Sequence, residues 1–312
     1  EAGDLNESSH YELPHGWEGP DGERLDTVDL TDLLGGDYEV WANNDVHGHT
    51  LAAEVGFYPD KMEKQGSDGT GYVFSAAEFE KHREYLDECC SEFYVHAERG
   101  RKWIPRFHDG DDFLDLLAWY ITEGSVYTSE DKRFGENFRG SATTIQLAQE
   151  AIADGGEDDD HAAIGALLDR LGFDYYLDDR SYQFTSRLLG HWLEATCGEN
   201  SFEKRIPDLV FEASREQKER FLDTLIPGDG DRQVNGWRYL TASDQLRDDV
   251  LRLCAHLGRT ASYNQDSGSW RIYCTEDAKN SFRMHRSGSR STAADGAYCV
   301  TVDDNNTLLA GR

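Results

Sequence analysis

The pattern of hydrophobic and polar positions is clearest between Asp111 and Gly124. From Phe113 to Ile121, hydrophobic side chains recur at i, i+3, i+4, i+7 and i+8, the period of an amphipathic helix. The pattern stops at Glu123, and Gly124 follows, a residue type that commonly ends a helix. The sequence therefore predicts an apolar helix with a carboxylate at its last position.

A second helix of the same design is predicted from about Arg215. Its hydrophobic positions include Phe221 and Ile226, and it ends at Gly228-Asp229-Gly230. Both helices thus end in an acid followed by glycine. This is an unexpected place for a charge, because the helix dipole disfavours a carboxylate at the C-terminus.

The stretches after the two helices are also alike. After the first comes a helical stretch (164–172) and the hairpin pattern DYYLDDRSYQFT; after the second comes a similar stretch (250–258) and TASYNQDSGSWRIYCT. The first copy is longer, which a loop insertion at ADGGEDDD (153–160) and its flanks would explain. The pattern predicts two tandem copies of one α/β unit. Two unrelated helix–hairpin stretches are the alternative.

The region 1–105 has a different character. It offers short strand-like stretches, such as 38–41 and 72–74, and Ser75 with Glu78 three residues later forms a capping-box pattern before a helix at about 76–90. The predicted fold class is α+β. Its predicted parts are an N-terminal α+β or β-rich region (1–105), a first repeat (106–204), a second repeat (205–288) and a C-terminal strand segment (289–312).

The charge of the chain indicates the salt conditions in which the protein works and bears on its partners. Of 312 residues, 35 are Asp and 26 are Glu, against 8 Lys and 23 Arg, for a net charge of -30. Few lysines and many aspartates are typical of a protein kept soluble in molar salt, and so predict a halophilic source, an archaeon or its virus. An ordinary acidic protein is the alternative. This negative charge argues against nucleic acid as a partner. A local groove lined with arginine that binds DNA remains an alternative.

Other features bear on location. The longest apolar runs fall short of the roughly 18 residues that a membrane span needs, so no membrane partner is predicted. The chain starts Glu1-Ala2-Gly3-Asp4, without a secretory pattern. None of the six cysteines forms a CxxC pair. These features predict a cytoplasmic protein with reduced thiols.

The two helix-terminal acids are the candidate chemistry. If the two helices pack side by side, Glu123 and Asp229 meet at one end of their interface. Paired carboxylates are oxygen ligands of the kind that Mg²⁺ uses in phosphodiester chemistry, where the ion polarises the phosphoryl oxygen and lowers the pKa of a bound water. Glu123 and Asp229 are therefore the predicted metal-binding and catalytic residues.

Two stretches carry a family resemblance. LLAWYITEGS (116–125) resembles the first signature helix of the LAGLIDADG homing endonucleases, and KRIPDLVFEASREQKERFLDTLIPGDGD (204–231) resembles their second signature block, including its Lys-x-Ile-Pro element. The resemblance covers about residues 106–286. It implies repeats of αββαββα type with pseudo-two-fold symmetry, a central pair of signature helices, and two sheets over the DNA major groove.

The resemblance also implies an activity. A monomer would cut both strands of a specific double-stranded DNA site, with Mg²⁺ held by Glu123 and Asp229. Lys204 matches the lysine that the family uses near the scissile phosphates; a solvated loop cation is the alternative. Two residues depart from the pattern, because Thr224 is bulkier than the usual small interface residue and Pro227 can kink the second helix.

The tail resembles a second kind of element. YCVTVDDNNTLLAGR (298–312) is similar to the C-terminal strand block of inteins, which predicts a strand that returns to the region before residue 105. The ends of the chain, Glu1 and Ala310-Gly311-Arg312, lack splicing nucleophiles, so this chain is not expected to splice. A catalytically inactive nucleic-acid-binding relative, such as an RNA maturase, and the remnant of a splicing intein remain the alternative functions.

Two further groups are weaker candidates. Basic residues cluster against the acidic background and are either phosphate contacts or ordinary surface cations; they are Arg99, Arg101, Lys102 and Arg106, and Arg283, Arg286 and Arg290. His47-Gly48-His49 is either part of a metal site or a loop.

Overall fold

The fold is a mixed α/β architecture built on antiparallel sheets. The computed structural model describes residues 10–12, 19–35, 38–43, 47–64, 70–97, 102–131, 140–149, 160–178, 180–275 and 281–283. Within these ranges, each helix falls short of the length and apolar content that a membrane span requires.

The N-terminal part forms a sheet of its own. Its elements are β1 (His10–Glu12), β2 (Thr27–Asp29), α1 (Leu30–Leu33), β3 (Tyr38–Asn43), α2 (Gly48–Val55), β4 (Asp60–Glu63), β5 (Thr70–Ser75), α3 (Ala76–Cys89), β6 (Phe93–Ala97), β7 (Ile104–Pro105) and β8 (Phe107–Asp109). Five strands form one antiparallel sheet in the order β4-β5-β3-β6-β7. The predicted capping box is confirmed, because Ser75 and Glu78 bond reciprocally at the start of α3.

The remaining elements form two units. The first comprises α4 (Gly110–Glu123), β9 (Gly124–Asp131), β10 (Gly140–Leu147), α5 (Asp160–Arg170), β11 (Tyr175–Asp178), β12 (Ser181–Thr185) and α6 (Arg187–Cys197). The second comprises α7 (Asp208–Glu212), α8 (Arg215–Asp229), β13 (Gly230–Gln233), β14 (Gly236–Thr241), α9 (Asp244–His256), β15 (Ala261–Asp266) and β16 (Ser269–Thr275). The predicted helices and hairpins all occur among these elements.

The sheets of the two units share a strand order. The first sheet has the order β11-β12-β10-β9 and the second has the order β15-β16-β14-β13, so each unit arranges its third, fourth, second and first strands side by side. A helix precedes the first strand in both. A two-fold axis that relates the units stays a prediction. The predicted insertion at 153–160 lies outside the described residues, apart from Asp160.

Helices α4 and α8 pack side by side and run in the same direction. In the middle of the interface, Thr224 Oγ1 donates a hydrogen bond of 2.9 Å to Asp115 Oδ1. Near the C-terminal ends, Gly228 lies so close to Thr122 that an added Cβ would overlap its side chain. The two helices are therefore in contact at their middles and at their C-terminal ends. Their terminal carboxylates, Glu123 and Asp229, consequently lie at the same end of the helix pair.

A segment before β2 holds both central helices at their N-terminal ends. Gln217 of α8 bonds both the N–H and the C=O of Leu25. Lys218, fully buried, donates a hydrogen bond of 2.9 Å to the Pro20 carbonyl. Gly110 N, at the start of α4, donates to the Asp26 carbonyl. The N-terminal region is therefore built into the interface of the two units.

The two ends of the described chain also meet. Strand β1 pairs antiparallel with β17 (Ser281–Arg283). The tail predicted to form the returning strand, 298–312, lies outside the described residues. The N-terminal region thus contacts the chain at residues 281–283, and the pairing of the tail stays a prediction.

Candidate active site

The C-terminal ends of α4 and α8 open into one cavity of about 550 Å³. All three predicted site residues, Glu123, Asp229 and Lys204, line it. The other lining residues are Ile121, Thr122, Gly124, Ser125, Glu199, Asn200, Ser201, Leu240, Thr241, Ala242, Leu246 and Ser269. The structure thus brings the three candidates together from two units and from the segment between them.

The glycines after the acids are required by close backbone approach. Gly124 and Gly230 are both extended, with φ of -90° and -140°, so neither uses the left-handed region open to glycine. A Cβ at Gly124 would overlap the Tyr120 carbonyl, and one at Gly230 would overlap the Arg238 carbonyl. In each unit, the small residue lets the first strand leave the helix end tightly, which leaves the acid at the cavity.

The two carboxylates hold their protons unusually well. Burial raises the pKa of Glu123 to about 7, and the nearby negative charges of Asp229 and Asp160 raise it further. Burial also raises the pKa of Asp229 to about 6, and Lys204 opposes that rise. Asp229 is the more exposed of the two. The charge of Asp229 is one of the causes that raise the pKa of Glu123, so Glu123 holds its proton more firmly when Asp229 is ionised.

This pair has the chemistry of a divalent cation site. A bound cation would favour the ionised form of both carboxylates, against the burial that raises both pKa values and the charge of Asp229 that raises the pKa of Glu123 further. Mg²⁺ in proteins is often held by one or two carboxylates together with substrate phosphates and water, rather than by a complete protein cage. Within the described ranges, no group of three or more His, Cys, Asp or Glu residues could hold a metal ion. The two carboxylates match the Mg²⁺ pattern because they supply oxygen ligands and leave further ligands to water and phosphate.

Lys204 is buried and anchored, with 5% of its surface exposed. Its Nζ donates hydrogen bonds of 2.8 Å to the carbonyls of Tyr120 and Gly124, and lies 3.8 Å from the centre of the Tyr120 ring. Burial lowers its pKa to about 8, although Asp229 is among the neighbours that oppose this. The alternative of a solvated loop cation is wrong, because this ammonium binds carbonyls at the C-terminal end of α4.

Lys204 also joins the segment between the units to the second unit. Its carbonyl accepts a hydrogen bond of 2.6 Å from Ser243 Oγ, and the same hydroxyl caps α9 by accepting from Leu246 N. One residue therefore fixes the end of α4 and the start of α9 around the cavity.

Sequence reasoning missed the polar contacts between the central helices. Asp115 is buried in the interface and accepts hydrogen bonds from both Arg220 and Thr224. Thr224, expected to be an obstacle to close packing, instead supplies one of these bonds. Helix α8 also continues through Pro227 to Asp229, so the expected kink does not end the helix. The only signal in the sequence was a lone acid, Asp115, inside an apolar helix.

Both alternatives for Arg106, a phosphate contact and an ordinary surface cation, are wrong, because the side chain is buried. Arg106 is 1% exposed; its guanidinium bonds Asp29 and Asp87 and packs on three phenylalanine rings. Lys102 is exposed and pairs with Asp174. Of the remaining basic candidates, Arg99, Arg101, Arg286 and Arg290 lie outside the described residues, and Arg283 lies in β17.

The histidine pair lies at the exposed N-terminal end of α2. His47 precedes α2, its ring stacks on His49, and His49 Nδ1 lies 3.3 Å from the Tyr58 hydroxyl. Within the part of the chain that the structure describes, no metal-binding group forms around them.

Comparison with known proteins gives distant similarities. No protein-family model matches the chain. A DNA polymerase of a Thermococcus species is 26% identical over 194 residues, which is 61% of this chain and 11% of the polymerase. A DNA polymerase of Thermococcus kodakarensis is 25% identical over 189 residues. An uncharacterised protein of Methanocaldococcus jannaschii is 25% identical over 297 residues, 85% of this chain and 30% of that protein. The chain thus spans about a tenth of the polymerases.

Among solved structures, the chain is similar to two homing endonucleases. I-DmoI in complex with DNA and Mn has a TM-score of 0.39 and 16% identity, over 53% of this chain and 89% of I-DmoI. I-WcaI bound to its DNA recognition sequence has a TM-score of 0.33 and 14% identity, over 54% of this chain and 76% of I-WcaI.

Proposed function

We propose that this chain is a site-specific endonuclease of the LAGLIDADG type, which cuts both strands of a DNA site by metal-dependent phosphodiester hydrolysis. The observation that carries the proposal is the pair Glu123 and Asp229. Two packed helices end in these acids, both face one open cavity, and both have raised pKa values. A protein gains nothing in stability from such a pair, so a cation-binding role explains it best.

Each of the three site residues would have its own role. Glu123 and Asp229 would hold Mg²⁺ together with the DNA phosphates, each acid serving the cleavage of one strand. The ion supplies polarisation of the phosphoryl oxygen and a lower pKa for a bound water. Lys204 holds the end of α4 through two carbonyls, so it positions Glu123, and its charge opposes the rise that burial causes in the pKa of Asp229.

A surface rich in aspartate is compatible with DNA binding in salt. On the second sheet, Arg238 is paired with Asp231 and Arg271 is paired with Asp266. Phosphate contacts would have to exchange with these pairs. In about 1 M salt the Debye length is only about 3 Å, so the net charge of the chain repels DNA little beyond direct contact. We infer that binding is by a monomer whose two units, 106–204 and 205–288, each cover half of the site.

The polymerase matches support an insertion-element origin. A similarity that spans a tenth of a long polypeptide is what a mobile element hosted by that polypeptide would give. We infer that the chain is an intein-associated nuclease, with 1–105 and 289–312 as the intein-derived parts.

The proposal is tested by selection from a randomised duplex library in molar KCl with Mg²⁺. Sequencing both new ends identifies double-strand cuts. We expect cuts at one defined sequence with the wild-type chain and none with Glu123→Gln. A folded wild-type chain that binds a specific duplex but does not cut it in the presence of any divalent metal would refute the nuclease. That result would favour the binding-only alternative. Preferential binding of an RNA would support the maturase alternative.

A further inference from the structure

A buried phenol lies beneath the acid pair. Tyr239 is on β14 and is 0% exposed. Within the part of the chain that the structure describes, its hydroxyl has no hydrogen-bond partner. A buried donor left without a partner costs free energy, and native proteins usually satisfy such a group with protein atoms or with ordered water.

The register of the second sheet brings this tyrosine to the helix end. Tyr239 is the direct cross-strand partner of Gly230, the residue after Asp229. In the first unit, the partner of Gly124 is Leu147, which is also fully buried. Equivalent positions under the two acids thus carry a phenol in the second unit and an alkyl side chain in the first.

The electrostatics agree with this placement. Burial, and then the negative charges of Asp229 and Glu123, raise the pKa of Tyr239 well above its usual range. The neutral phenol keeps its hydroxyl hydrogen, which it can donate towards an ionised carboxylate. A gap too long for a direct hydrogen bond between two polar groups is commonly bridged by a water.

We propose that the Tyr239 hydroxyl positions Asp229 by donating a hydrogen bond to a buried water that bonds the Asp229 carboxylate. The bridge exists only in the second unit, because Leu147 offers no donor beneath Glu123. The two halves of the site are therefore chemically unequal. The consequence for cleavage rests on the proposed function; the water bridge itself does not.

The test compares Tyr239→Phe with Tyr182→Phe. Tyr182 is a matched control in the first unit: it is 4% exposed, and its hydroxyl lies 3.2 Å from His161 Nδ1. Unfolding by denaturant in molar KCl gives the first readout. If the Tyr239 hydroxyl has a water partner, its removal lowers the folding equilibrium constant by roughly 5- to 10-fold, as for Tyr182→Phe. A hydroxyl without a partner gives a variant that is as stable as the wild type or more stable.

The second readout separates positioning from packing. Removing a partner that orients a metal ligand commonly weakens metal binding by about 10-fold or more. We expect Ca²⁺ affinity, measured by calorimetry, to fall by about 10-fold in Tyr239→Phe and to stay unchanged in Tyr182→Phe. On the selected DNA site with Mg²⁺, Tyr239→Phe should accumulate nicked duplex, because only one half of the site is impaired.

Several results would overturn the inference. They are an unchanged or higher stability of Tyr239→Phe, an unchanged Ca²⁺ affinity, and equal slowing of both strands. The first two measurements need no cleavage. A wild-type chain that never cuts DNA would therefore refute the nuclease, while stability and Ca²⁺ binding would still decide the role of Tyr239.

Discussion

Thr224 and Asp115 are joined by a hydrogen bond of 2.9 Å across the interface of the two central helices. Arg220 donates to the same carboxylate at 2.6 Å. The carboxylate of Asp115 can accept these hydrogen bonds only when the two helices are in one or a few relative positions. The contact therefore fixes the register of α4 against α8, and with it the relative position of the two acids at their ends.

Replacing Asp115 should loosen this register. We expect Asp115→Ala to lower the free energy of unfolding by about 2 kcal/mol, because the change leaves Arg220 and Thr224 without their acceptor. Denaturant titration in molar KCl measures it. Asp26→Ala is the control, since Asp26 pairs with Arg24 at an exposed position. Equal effects of the two variants would contradict a register role for Asp115.

The close approach of Gly228 to Thr122 can be tested by size. Gly228→Ala removes a flexible residue from a helix, which alone would stabilise by up to about 1 kcal/mol. Here the new Cβ overlaps Thr122, so we expect a net loss of about 1–3 kcal/mol. Thr122→Gly removes the obstructing Cβ. In a double-mutant cycle, the double variant should therefore lose less stability than the sum of the two single changes. Additive effects in the cycle would show that the two residues do not contact.

The raised pKa of Glu123 predicts that the free energy of unfolding falls as the pH rises. Its pKa is about 7 in the folded chain, above its ordinary value of 4.5. The folded state therefore holds the proton to higher pH, and stability falls as the pH rises between about 4.5 and 7. Compared with the wild type, Glu123→Gln should be equally stable at pH 4 and more stable at pH 8, by up to about 3 kcal/mol.

Denaturant titrations across this pH range measure the difference. Mg²⁺ should reduce it at pH 8, because a bound cation favours the ionised carboxylate. A difference between Glu123→Gln and the wild type that is constant with pH would contradict the raised pKa.

The role of Lys204 can be separated from the cost of losing any buried lysine. Lys204→Met removes two hydrogen bonds to the end of α4, and Lys218→Met removes one bond to Pro20 far from the cavity. We expect both variants to lose about 2 kcal/mol of stability. Only Lys204→Met should lose cleavage, by more than about 100-fold, in a single-turnover assay at a temperature where both variants are folded. Equal cleavage by the two variants would leave Lys204 with a structural role alone.

The helices, the hairpins and the meeting of Glu123 with Asp229 could be predicted from the sequence. Hydrophobic period and helix-end residues are local signals, and two helices that end alike and pack alike bring their ends together. A helix end at the glycine after each acid could also be predicted. The structure shows that glycine is required there by close backbone contact, and not by a left-handed conformation.

The polar contacts could not be predicted in this way. Arg106 reads as one cation in a basic cluster, but its carboxylate partners Asp29 and Asp87 lie far away in the sequence. Tyr239 reads as an ordinary buried strand residue, and only the pairing of β13 with β14 brings it beneath Asp229. Such contacts depend on which elements become neighbours, and no local pattern in the chain records that.

The metal-dependent nuclease site that we propose for Asp229 and Glu123 can be tested on the selected DNA duplex. The measurement compares Asp229→Asn with Asp223→Asn, the same change at an exposed position of the same helix, paired with Arg232. Binding is measured in Ca²⁺ and single-turnover cleavage in Mg²⁺, both in molar KCl. We predict that Asp229→Asn binds the duplex as tightly as the wild type and loses cleavage by at least about 1,000-fold, while Asp223→Asn retains both. Cleavage by Asp229→Asn within about 10-fold of the wild type would show that the Asp229 carboxylate is not required for catalysis.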